Sequence, residues 1–103
     1  MDKPRRIDTS RRLAHILVCH NRRTDPRMPC CGEGGQAVYL ALRQWVIERR
    51  LLSRIWVTST DCLGWCHADG ATVVFYPDDI WYQGVTVEDC PDLIARHLLP
   101  LVS

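Results

Sequence analysis

The cysteines constrain this chain more than anything else in it. Cys19, Cys30 and Cys31 fall in one stretch, CHNRRTDPRMPCCGEGG, and Cys62 and Cys66 in another, DCLGWCH, with Cys90 standing apart. Six cysteines in 103 residues are many for a protein kept among reduced thiols. In such a setting that count points to metal or redox chemistry more than to a disulfide framework. The start, MDKPRRIDTSRR, is basic but leads into no signal-type apolar stretch, so a cytoplasmic location is expected. Any fold for this chain therefore has to explain two distant thiol groups at once.

Apolar residues make up 47% of the sequence, enough for one domain with a modest core. No apolar run approaches the roughly 18 residues of a membrane helix, and none is expected to span a bilayer. Charge is unevenly spread around a net +1. Residues 1–12 carry Lys3, Arg5, Arg6, Arg11 and Arg12 and read as a basic, solvated and flexible arm, with residues 13–103 as a single domain. An arm interrupted by Asp2 and Asp8 is too weak a signal for nucleic acid. Beyond Pro77 the balance reverses, through Asp78, Asp79, Glu88, Asp89 and Asp92.

Hydropathy patterning supplies the elements. LAHILVC (residues 13–19) is a short apolar run that suits a strand buried on both faces. A polar loop with Pro26 and Pro29 follows, closed by Gly34 and Gly35, after which QAVYLALRQWVIERRLL reads as a helix. Its stripe is Val38, Ala41, Leu42 and Trp45, and Arg49 and Arg50 are expected in its last turn. RIWVTST and ATVVFY read as strands, and PDD turns the latter into IWYQG as a hairpin. Thr86 with Asp89 resembles a capping signal for a helix through Leu99, stopped by Pro100. The order β-α-β-β-β-α predicts an α/β domain of two or three layers with a mixed four-stranded sheet: a parallel pair extended by an antiparallel hairpin.

On that map Cys19 ends the first strand, Cys30 and Cys31 precede the helix, Cys62 follows the second strand and Cys66 precedes the third. Parallel neighbours deliver their carboxyl ends to one edge, the usual ligand site of an open sheet. Cys19, one of Cys30 and Cys31, Cys62 and Cys66 can therefore converge. Four thiolates suit a tetrahedral zinc or an iron–sulfur cluster. The wide first spacing is a clumsy clamp for one ion but reaches across a larger cluster. The free N–H groups at the helix start favour an anion there.

Cys31-Gly32 before a helix, the Cys-Leu-Gly-x-Cys loop and the hairpin YPDDIWYQGV together resemble the thioredoxin-like [2Fe–2S] ferredoxins. The resemblance runs from about residue 15 to residue 99. It implies a thioredoxin-like fold, one-electron transfer between redox partners by transient docking, and a second copy as a further partner. It also implies one [2Fe–2S] cluster per chain ligated by Cys19, Cys31, Cys62 and Cys66, Cys31 being preferred over Cys30 because Gly32 follows it. The first two thiolates would take one iron and the last two the other, with a low potential of about −400 mV as in plant-type centres. Trp65 and His67 depart from the Pro and acidic residue frequent at those positions in the family, which removes a local negative charge.

Less specific readings apply to the remaining residues. Cys90 reads as a buried structural thiol, and His20 and His67 as solvent-facing or supporting groups rather than ligands, since neighbours in extended chain point to opposite sides. Trp65 reads as a lid over the site; Trp45, Trp56 and Trp81 fit packing of helix and sheet. Asp61, Asp69 and Asp78 are candidates for steering a partner. Two other functions compete with the electron carrier: a zinc-stabilised binding module, and a thiol–disulfide oxidoreductase using Cys62 and Cys66.

Overall fold

The computed structural model describes residues 3–19, 32–60 and 70–102. Within them the chain forms β1 (Ala14–Cys19), α1 (Gly32–Glu48), β2 (Ile55–Thr60), β3 (Ala71–Tyr76), β4 (Ile80–Val85), a single 3-10 turn (Val87–Asp89), α2 (Cys90–His97) and α3 (Leu99–Val102). The four strands make one mixed sheet in the order β2-β1-β3-β4. β1 runs parallel to β2, from Ala14 beside Ile55 to Cys19 beside Thr60. β3 is antiparallel to β1, with Val18 opposite Val73, and β4 is antiparallel to β3.

Strand alternation divides the sheet into two unlike faces. Ala14, Ile16 and Val18 of β1, with Val73 and Phe75 of β3, point into one core with Val38, Leu42 and Val46 of α1 and Leu93, Ile94 and Leu98 from α2 and its end. Both helices pack on this face and touch each other, so the described residues form two layers. His15 and Leu17 of β1 are turned the other way and are only half-buried, which makes β1 less enclosed than an unbroken apolar run suggests. β3 does meet that expectation: every residue from Ala71 to Phe75 is buried.

The ends of α1 differ from the reading of the sequence. The helix begins at Gly32, so Gly34 and Gly35 lie inside its first turn instead of closing the loop before it. It ends at Glu48, which leaves Arg49 and Arg50 beyond the last turn. Arg50 takes a left-handed backbone, φ 57°, where Gly or Asn is the usual choice. Around it the Leu51 N–H donates to the Val46 carbonyl and the Arg50 N–H to the Ile47 carbonyl, each at 3.0 Å. That pair of bonds satisfies carbonyls left without helical partners and folds the chain into β2.

At the other helix the capping signal is present: the Asp89 carboxylate accepts from the Thr86 N–H at 2.9 Å and from the Thr86 hydroxyl at 3.1 Å. It opens a 3-10 turn that leads into α2, where Pro91 sits in the first turn as expected. Pro100 does not stop the helical path. It is the second residue of the short α3, a first-turn position where a missing N–H costs no helical bond. Trp81 is also less packed than anticipated, 42% exposed with its indole N–H donating to Asp79 at 2.7 Å. Its strand neighbour Tyr82 faces the core side, and its hydroxyl lies 2.6 Å from His97 Nε2.

Candidate metal centre

Cys19 is the one proposed ligand among the described residues. It closes β1 in the middle of the sheet, wholly buried and in no disulfide. Cys31, Cys62 and Cys66 lie outside the described residues, as do Cys30, His20, His67, Trp65, Asp61 and Asp69. Among the described residues no group of three or more His, Cys, Asp and Glu stands together.

The flanks of the cysteine-bearing segments can nevertheless be placed. Segment 20–31 leaves from Cys19 and enters α1 at Gly32. Segment 61–69 leaves from Thr60, the register partner of Cys19, and returns at Gly70 beside the start of β3. Because β3 opposes β1, its first residues lie at the edge where β1 ends, next to the Val18–Val73 pair. α1 finishes at the end of the sheet where β2 begins, as the Ile55 N–H bond to the Leu51 carbonyl shows. A helix of 17 residues is about as long as the strands it covers, so its first turn returns to the Cys19 edge. All four flanks thus meet at one edge of the sheet, beside a buried thiol.

Two local features hold that edge. Gly70 has no room for a side chain: a Cβ there would lie 2.5 Å from the Gly84 carbonyl carbon and 2.6 Å from the Val85 oxygen. Opposite it, β3 and β4 slip register between Ala71 and Val73, where Gln83 and Gly84 face a single residue in a β-bulge. Gly84 has φ 72°, a left-handed backbone suited to glycine. The bulge and the bare Gly70 let the chain at the start of β3 lie in close contact with β4.

Cys90 is at the same end of the sheet, buried under the helix layer, with its Sγ–H directed at the Thr86 carbonyl at 3.7 Å. Burial, with the neighbouring charges of Asp89 and Glu88, pushes its thiol up to about 11. A thiol held that firmly in its protonated form is an inert packing group, as the sequence reading expected. Sequence reasoning did not single out Gly70, whose only signal was glycine beside a strand, and it met Gly84 only as part of the hairpin YPDDIWYQGV.

The donor set fits a metal–sulfur group. One buried thiol is fixed at a strand end, and four more, Cys30, Cys31, Cys62 and Cys66, belong to segments whose flanks reach the same edge. The peptide N–H groups of the first turn of α1, which lack helical partners, are available there to an anion.

No family model matches the chain. It is 31% identical over 87 residues to the "Ferredoxin, 2Fe-2S" of Aquifex aeolicus (strain VF5), covering 82% of this chain and 78% of that one. To the protein of the same description from Clostridium pasteurianum it is 29% identical over 86 residues, covering 82% and 83%. Among solved structures, the wild-type thioredoxin-like [2Fe–2S] ferredoxin from Aquifex aeolicus superposes with a TM-score of 0.71 at 30% identity, covering 84% of this chain and 86% of that one. A second structure described as a thioredoxin-like [2Fe–2S] ferredoxin from that organism gives 0.73 at 29% identity, covering 86% and 83%. With the sheet order, the cysteine-bearing edge and these likenesses in agreement over most of its length, the chain belongs to the thioredoxin-like [2Fe–2S] ferredoxins.

Proposed function

We propose that this chain is a one-electron carrier, not an enzyme, and that Cys19, Cys31, Cys62 and Cys66 hold one [2Fe–2S] cluster at the edge where β1 and β2 end. The observation that carries this reading is the meeting of the four segment flanks beside the buried Cys19. When bound, the cluster supplies a single-electron couple. The protein's part is to hold and insulate it. Cys19 presents its sulfur from the end of a strand paired on both sides, itself beside Thr60 of β2. The apolar core behind it keeps water away on that side. N–H groups at the start of α1 favour negative charge at the edge, and hydrogen bonds to sulfur raise a cluster's potential.

Residues 13–103 are the working domain of this reading and residues 1–12 a basic arm. A reductase and an acceptor dock transiently near the two cysteine-bearing segments, through the small interface usual for redox encounters. A second copy is a further partner, and the thiol content suits a cytoplasmic setting. No helix of the described residues is long and apolar enough to cross a membrane.

Anaerobic purification with iron and sulfide analysis, then low-temperature EPR after dithionite reduction, tests the proposal. Two irons and two sulfides per chain with a spin-half signal are expected. A colourless protein that resists reconstitution overturns it, bound zinc or reactive thiols then choosing between the alternatives. The ligand set is tested alongside, since Cys31→Ser is expected to disturb the cluster spectrum and Cys30→Ser to leave it intact.

A further inference from the structure

The end of the sheet opposite Cys19 is basic, and no part of the electron-carrier reading uses it. Arg11 and Arg12 lead into β1, while Arg49, Arg50 and Arg54 lie on the tight connection from α1 into β2. Backbone bonds bring the two groups together: the Leu13 N–H donates to the Arg54 carbonyl at 2.6 Å, and the Arg54 N–H to the Leu51 carbonyl at 2.9 Å. Among the described residues none of these five guanidinium groups is in an ion pair; the pair that forms, Arg96 with Asp92, is on α2.

Two of the arginines are held in place by aromatic rings. The Arg12 guanidinium lies over Trp56 at 5.2 Å from the ring centre, and that of Arg49 over Trp45 at 5.0 Å. Stacking of this kind orders the side chain without using its hydrogen-bond donors, which stay available to a carboxylate. Between Arg11 and Arg54 the surface is hollowed, with Ser10, Leu13 and Ser53 completing a depression of about 540 Å³.

We infer that this pole is a docking surface for an acidic segment of a partner protein, separate from the cysteine edge. Charge complementarity sets the class of partner, and the arginine fork favours bidentate carboxylates. The neighbouring acids limit its extent. Asp8, held by Ser10, lies beside the hollow, Glu48 precedes Arg49, and Asp78 borders the far side near Leu13. They would repel a continuous nucleic-acid backbone but leave room for a short run of carboxylates between them. β1 separates this pole from Cys19 by its full length, about 20 Å at strand spacing. A partner held here leaves the cysteine edge open to a second protein.

The test uses the cluster-loaded protein and a fluorescein-labelled hexaglutamate peptide, with binding read by anisotropy at about 20 mM and about 150 mM salt. Binding is expected at low salt and weakening at high salt. The double variant Arg49→Glu/Arg54→Glu is expected to bind roughly 10-fold more weakly with an unchanged visible spectrum. Arg96→Glu, which alters net charge elsewhere, is expected to stay within about 2-fold of the parent. Equal binding by the double variant overturns the proposal, as does equal weakening by Arg96→Glu, which would reduce it to net charge. Tighter binding of a labelled DNA duplex than of the peptide also overturns it, in favour of a nucleic-acid surface.

Discussion

Replacing Gly70 by alanine asks whether its approach to β4 is as tight as the geometry says. The added Cβ would meet the Gly84 carbonyl carbon at 2.5 Å, the Val85 oxygen at 2.6 Å and the Gly84 oxygen at 2.7 Å. Ordinary contact begins near 3.4 Å, so relief requires roughly 0.9 Å of movement at the closest atom. All three atoms are backbone in a paired strand, and no side chain can swing aside. Overpacking of this kind costs about 1–3 kcal/mol. At a urea slope of about 1–1.5 kcal/mol per M, the unfolding midpoint should fall by about 0.7–3 M. Far-UV circular dichroism in urea measures that shift, with visible absorption read on the same samples. Gly70 follows Cys66 by four residues, so the cluster spectrum should weaken as well. Gly34→Ala is the matched control: nothing lies within 4 Å of its Cβ, and in the first turn of α1 it should add about 0.5–1 kcal/mol. An unchanged midpoint for Gly70→Ala, or an equal loss from Gly34→Ala, would refute the reasoning.

Two further expectations concern titrating groups. Because burial and adjacent acids push the Cys90 thiol up to about 11, iodoacetamide at about pH 8 should leave it unmodified in the native protein and label it once unfolded; rapid native labelling counts against this assignment. His15 is lowered from 6.5, first by burial and then by the Arg12 charge, while its Nε2 lies 2.8 Å from the Thr58 hydroxyl. The folded state therefore binds this proton less well than the unfolded chain. The associated stability is complete above about 6.5 and is lost as pH falls through the lowered value. Urea midpoints between about pH 7.5 and pH 5 should decline less for His15→Gln than for the parent, and parallel declines would remove His15 as the cause.

Much of the architecture was legible because the apolar runs are short and their punctuation is strong. Residues 71–76 coincide with β3, and the parallel-then-antiparallel sheet followed from the element order alone. The ends of α1 were misread for two reasons. A glycine pair reads as loop, yet each glycine costs a helix only about 0.5–1 kcal/mol relative to alanine, which the packing of the rest of α1 outweighs. The stop is written in the left-handed backbone of Arg50, a residue that carries no stop signal. Pro100 misled similarly, since proline ends a helix only where an N–H is needed. For the candidate site, the ordering of strand ends placed Cys19 and both segment flanks at one edge. The contact of Gly70 with β4 depends on a bulge at Gln83 and Gly84 that is brought beside it only by strand pairing, and so could not be read beforehand.

The position of β1 has a consequence for how the protein is made. This strand is synthesised before every other element yet lies between β2 and β3, whose residues follow only from Ile55 and Ala71 onward. On a ribosome adding about 5–20 residues per second, AHILVC waits several seconds before either flank can pair. Until then the nascent chain exposes an apolar segment that ends in a thiol. The risk of aggregation therefore lasts until β3 emerges and covers the second flank of β1.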